Sequence, residues 1–77
     1  MAHTFEDLVT LEQAAETAHH AYLGDTADPA AARQAWIEAA ARFQAAVTEH
    51  AAAEGTVRYE VEMAVLKAVR YPTAEAA

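Results

Sequence analysis

The longest stretch without a helix-breaking residue constrains this chain most. It runs from residue 30 to residue 54, is rich in alanine, and lies between an Asp-Pro pair and Gly55. Asp28 can cap a helix, the fixed φ of Pro29 suits the first helical position, and Gly55 is typical of a helix end. The sequence therefore predicts one helix over 28–54, about 39 Å long at 1.5 Å per residue.

One face of this helix repeats apolar residues at alternating spacings of four and three. Small side chains on that face let another helix approach closely, and two aromatic residues, Trp36 and Phe43, add bulk. We therefore expect Trp36 and Phe43 to lie in the core. The face consists of Ala32, Trp36, Ala39, Phe43, Ala46, His50 and Ala53.

A first helix is predicted over 4–23. Thr4 and Asp7 have the spacing of a capping box with Asp in place of Glu, and Gly24 is a suitable stop. The apolar stripe between them is Leu8, Leu11, Ala15, Ala18 and Tyr22.

The segment 56–70 fits two patterns. Alternate residues are apolar over 57–63, as in a half-buried strand, but spacings of three and four also give a helical stripe. Thr56 can cap that helix and Pro72 ends it, whereas a lone strand would leave its backbone groups unpaired. We predict a helix; a strand would have to pair across a dimer. The tail 73–77 is predicted to be disordered.

Three consecutive helices with short connections imply antiparallel neighbours. We expect a single all-α domain over 1–77, either a three-helix bundle or a long helical hairpin with an appended third helix. A chain this short buries only about 60% of its unfolded surface, so association often adds stability. There is no cysteine, secretory signal or membrane-span pattern, which leads us to expect a cytoplasmic protein.

The whole chain has a net charge of −7. Most of this negative charge lies in the first part of the chain. Residues 1–28 contain no lysine or arginine. Such a field disfavours nucleic acid and membrane surfaces and favours a basic protein surface. We predict a partner-binding face from Glu6, Asp7, Glu12 and Glu16. The six carboxylates of this region are Glu6, Asp7, Glu12, Glu16, Asp25 and Asp28.

Two histidines after Glu16 raise a metal-site alternative. Glu16, His19 and His20 are about one turn apart, close enough for joint metal ligation. A symmetric dimer with Glu38 or Glu49 as a further ligand is similar in outline to small two-helix ferritin-like proteins of encapsulin shells. That resemblance implies a dimeric carboxylate and histidine metal centre. We interpret the residues as solvated helix positions, with no metal and no cofactor.

The sequence lacks catalytic patterns, having no cysteine, no serine and only isolated glycines. We therefore predict a non-enzymatic interaction or regulatory protein, accessory or inhibitory, that forms a homodimer and binds a basic surface. A DNA mimic that inhibits a DNA-binding protein is an alternative. The residues expected to mediate self-association are Trp36, Ile37, Phe43, Val47, Met63 and Leu66.

Overall fold

A computed structural model describes residues 3–71 and contains three helices and no strand in that range. They are α1 (Phe5–Leu23), α2 (Pro29–Glu54) and α3 (Arg58–Arg70). The predicted all-α three-helix fold is confirmed, and the strand interpretation of 56–66 is wrong. The predicted tail, 73–77, lies outside the described residues.

Side-chain caps fix the starts of the first two helices as the sequence predicts. Thr4 Oγ1 accepts from the Asp7 N–H at 3.0 Å, and Asp7 Oδ2 accepts from the Thr4 N–H at 2.9 Å. Asp28 Oδ1 accepts from the Ala31 N–H at 3.1 Å, directly before Pro29. Each contact satisfies a backbone donor that the first helical turn leaves free.

The α2–α3 turn corrects one predicted cap. Gly55 adopts a left-handed φ of 68°, and the Thr56 N–H donates to the Ala51 carbonyl, the bonding of a Schellman motif. Thr56 therefore helps end α2 rather than start α3. Helix α3 begins after Val57, which supplies no capping oxygen.

Helices α1 and α2 pack antiparallel, as contacts at both ends show. At one end, the His50 Nδ1–H donates to the His3 carbonyl at 2.7 Å. At the other end, the His19 ring stacks on Trp36 with centroids 4.2 Å apart. The two helices run together between these contacts.

Helix α3 covers the C-terminal half of α2. The Arg58 guanidinium donates to the Gln44 carbonyl at 3.1 Å and also bonds the Thr48 hydroxyl. One turn later, the Gln44 amide donates to the Glu62 carboxylate at 3.4 Å. Helix α3 has 13 residues and α2 has 26, so α3 cannot cover the N-terminal half of α2.

The core forms where all three helices meet. Phe43 is buried there as expected, but Trp36 is only half-buried, so its predicted place in the core is wrong. Val47, which the sequence placed on an outer surface, is buried too. Val47 follows Phe43 by one turn, and both lie on the side of α2 that the other helices cover. The core cluster is Leu8, Phe43, Ala46, Val47, Ala51, Val61 and Val65.

The inward face of α1 is rotated from the predicted stripe. Glu12 is buried beside Leu8 and Ala15, whereas Leu11 and Tyr22 are only half-buried. Positions 8, 12, 15 and 19 follow the same four-three spacing as the predicted stripe. A polar residue therefore occupies a packing position, and a stripe defined by apolar residues alone does not include it.

Candidate interaction surface

The most exposed large apolar side chains of α3 form one stripe. Tyr59 and Met63 are 67% and 41% exposed, and Leu66 is half-buried. At 100° per residue, spacings of four and three place these three side chains along one side of the helix. We call Tyr59, Met63 and Leu66 the α3 stripe; it points away from the buried pair Val61 and Val65.

A further apolar side chain lies on α2 beyond the end of α3. Ile37 is 40% exposed and precedes Gln44 by two turns on the same side of α2. Gln44 contacts Glu62, so Ile37 lies on the side of α2 that faces α3. Its exposure follows from the shortness of α3.

The structure divides the six residues predicted to mediate self-association. Ile37, Met63 and Leu66 retain exposed surface. Phe43 and Val47 are sealed in the core, so their assignment to an interface between folded copies is corrected. Trp36 is half-buried and stacks between two helices, with Tyr22 at a centroid distance of 5.6 Å.

The carboxylates predicted to bind a partner do not share one face of α1. Glu12 is only 7% exposed, which places it inside the bundle and removes it from the predicted partner-binding face. Asp7 and Glu16 are nine residues apart and point in opposite directions around the helix. Glu6 and Asp7 remain exposed and Glu16 is half-buried.

Burial changes the acidity of Glu12. Loss of hydration raises the pKa of its carboxyl, and the nearby Glu16 carboxylate raises it further. Arg70 of α3 acts in the opposite direction, while Glu62 adds to the increase. Glu12 thus holds its proton more readily than a solvated glutamate.

Asp7 is fixed by its capping role. The hydrogen bonds from the Thr4 backbone and hydroxyl lower the pKa of the Asp7 carboxyl, because both stabilise the charged form. The side chain is exposed, but its carboxylate already accepts the hydrogen bond that caps α1. A partner that binds it would compete with the cap.

The histidines of α1 have separate environments. His19 stacks on Trp36, whereas His20, one residue further around the helix, is exposed. Within residues 3–71 no group of three or more histidine, aspartate or glutamate side chains is placed to hold a metal ion.

The opposite end of the α1–α2 pair carries an open groove of about 390 Å³. His3, Asp7, Thr10 and Leu11 line it. His3 Nε2 lies 3.2 Å from a Glu49 oxygen, and Asp7 bonds Thr4. Of these side chains, His3 joins the start of α1 to the end of α2, whereas Asp7 caps α1 itself.

Comparison with family models, curated proteins and solved structures finds no match to this chain. None of the helices within residues 3–71 combines the length and apolar character needed to cross a bilayer.

Proposed function

We propose that this chain is a non-enzymatic helical interaction protein that self-associates through its uncovered apolar surface. The observation that carries this proposal is the α3 stripe, a row of large apolar side chains left open on a folded bundle. Scattered exposed apolar residues are ordinary on protein surfaces. A row of large apolar side chains along one side of a helix is a pattern that interfaces use.

The size of the chain supports the same proposal. A domain of 77 residues has a small core, and here two of its largest side chains on α3 lie outside it. A symmetric dimer buries the same patch twice without additional chain length. Self-association therefore adds the apolar burial that one copy lacks.

We also propose that the dimer presents its N-terminal region to a basic protein surface in a regulatory role. Exposed Glu6, Asp25 and Asp28 lie in a region without lysine or arginine. Because α1 does not gather its carboxylates on one face, the attraction depends on the summed field rather than on one row of charges. Such attraction mainly raises association rates and weakens with salt.

Serine substitutions on α3 test the self-association. Tyr59→Ser with Met63→Ser should shift sedimentation velocity from dimer to monomer while the helical circular dichroism of the bundle persists. Leu23→Ser is the matched control, because Leu23 is 65% exposed at the far end of α1. Equal behaviour of the control and the double variant would contradict a specific α3 surface.

Charge removal tests the acidic region separately. Glu6→Gln with Asp25→Asn spares both the Thr4–Asp7 capping box and the Asp28 cap. The variant should bind immobilised oligolysine more weakly than wild type at low salt. Glu38→Gln with Glu54→Gln removes the same charge from α2; an equal loss of binding there would contradict a role specific to the N-terminal region.

A further inference from the structure

Two opposite charges flank the α3 stripe on the same side. Glu60 and Lys67 are seven residues apart, so both project next to the stripe in nearly the same direction. Two turns, about 10.5 Å along the axis, separate them, which is too far for an i,i+4 ion pair. Within residues 3–71 neither side chain takes part in an ion pair.

The other side of the stripe is already occupied within the chain. Glu62 lies there, with its carboxylate 3.8 Å from Arg58 and hydrogen-bonded to Gln44. These contacts tie Glu62 to α2. The exposed side with Glu60 and Lys67 is the one whose charges are available to a second molecule.

Helix geometry determines how a second copy of α3 can use these charges. In heptad terms, Tyr59 and Leu66 take d positions and Met63 an a position, so Glu60 and Lys67 both take e positions. When two such helices pack antiparallel, e positions face e positions. Glu60 then meets Lys67 of the partner subunit, and the two-fold axis repeats the contact.

We infer that the dimer forms by antiparallel packing of α3 against α3 of a second copy, with reciprocal Glu60–Lys67 pairs beside the buried α3 stripes. This inference rests on the proposed self-association and specifies its surface and orientation. The apolar stripes supply the burial. The two charge pairs select the antiparallel orientation, because charges at e positions set partner choice and orientation in helix pairs.

A parallel arrangement fits the charges less well. It would bring Lys67 next to Glu62 of the partner subunit, but Glu62 already contacts Arg58 and Gln44. Glu60 would face the glycine turn before α3 and gain no opposite charge. The antiparallel arrangement pairs all four charges.

Charge reversal tests the orientation with the full-length protein. In Glu60→Lys, both reciprocal pairs become repulsive, and the same holds in Lys67→Glu. Each single variant should raise the dimer dissociation constant about tenfold, which is the scale of two exposed ion pairs lost and reversed. Controls are Glu54→Lys and Arg33→Glu, exposed residues of α2 that make the same charge changes away from the α3 stripe.

Mixing the two single variants is the decisive arm. A heterodimer of Glu60→Lys with Lys67→Glu has two attractive pairs, so the mixture should recover the wild-type dissociation constant. Both substitutions also oppose the α3 dipole, but each chain keeps its substitution in the mixture. Recovery therefore reports pairing between chains rather than helix stability.

The outcomes separate the two proposals. A dimeric wild type, weakened single variants and recovery on mixing support antiparallel α3 packing. The antiparallel orientation is wrong if the wild type is dimeric but neither charge reversal changes the dissociation constant. It is also wrong if the mixture does not recover the wild-type dissociation constant. Self-association itself remains supported in both cases. A monomeric wild type overturns both.

Discussion

At the scale of single residues, Glu12 departs furthest from the apolar pattern. It is buried on the same face of α1 as Leu8 and Ala15, and the charges of Glu16, Arg70 and Glu62 act on its carboxyl. Long charged side chains commonly bury their stems while the head reaches towards water. Burial of this carboxyl next to Glu16 therefore opposes folding at neutral pH.

Replacing Glu12 by glutamine should stabilise the bundle at pH 7. The pKa of Glu12 is raised in the folded state. At pH values between its usual pKa and this raised pKa, the folded protein therefore binds more protons than the unfolded chain. The stability contributed by this group consequently falls as pH rises through that window. We expect Glu12→Gln to gain a few tenths of a kcal/mol at pH 7.

The gain from Glu12→Gln should shrink towards acidic pH. Below the pKa values of Glu12 in the folded and unfolded states, its carboxyl is neutral in both. Replacing it with an amide then removes little charge. Urea unfolding at pH 7 and pH 4 measures the difference, with Gln13→Glu as an exposed reference for adding charge to α1. A destabilised Glu12→Gln at pH 7 would contradict this account.

Phe43 and Trp36 should differ in their contributions to stability. Phe43 is sealed in the core, so Phe43→Ala should cost about 3–5 kcal/mol. Trp36 is half-buried and held by stacking on His19 and Tyr22, so Trp36→Ala should cost about half as much. Urea unfolding of both variants at one protein concentration checks this order; equal losses would contradict it.

Sequence patterns located the core of α2 better than the inward face of α1. In α2 the predicted stripe is buried at Ala39, Phe43 and Ala46, although Val47 beside it is buried as well. In α1 the apolar residues spread around much of the helix. In the folded bundle the row with Glu12 and His19 faces inward. A pattern of apolar residues does not predict an inward row that contains these polar side chains.

At the scale of helices, the predicted boundaries lie within two residues of those observed, because caps and breakers are local signals. Thr4, Asp28 and Gly55 act where the sequence places them. The start of α3 shifts from 56 to 58, because Thr56 takes part in the turn that ends α2. The orientation of α3 depends on contacts with Gln44 and Thr48, which no local pattern specifies.

The start of α3 offers a stabilising substitution. Val57 is exposed and extended, with φ −82° and ψ 130°, which suits an N-cap residue, yet it has no oxygen to offer. Val57→Ser would create a Ser-x-x-Glu capping box with Glu60 and should add about 0.5–1 kcal/mol.

Thermal unfolding of Val57→Ser beside Val57→Ala measures this cap. The alanine variant shortens the side chain without providing an acceptor, so it should show no gain. A serine variant no more stable than the alanine variant would contradict the uncapped start of α3.

At the scale of the whole molecule, the bundle is asymmetric. Helices α1 and α2 are joined at both ends, whereas α3 covers half of α2 and leaves the α3 stripe outside. The exposure of Ile37 follows from unequal helix lengths, which the sequence predicts, whereas the α3 stripe is exposed because it points away from the core. Which residues form the exposed apolar surface follows from packing, which places Val47 in the core and leaves Ile37 exposed.

Sedimentation equilibrium of the unmodified protein at micromolar concentration measures whether the chain self-associates. We expect a mass of at least twice the 8.3 kDa of one chain. On dilution the mass should fall towards that of the monomer. A single 8.3 kDa species at every loading concentration would contradict self-association, and the α3 stripe would then have to bind a different protein.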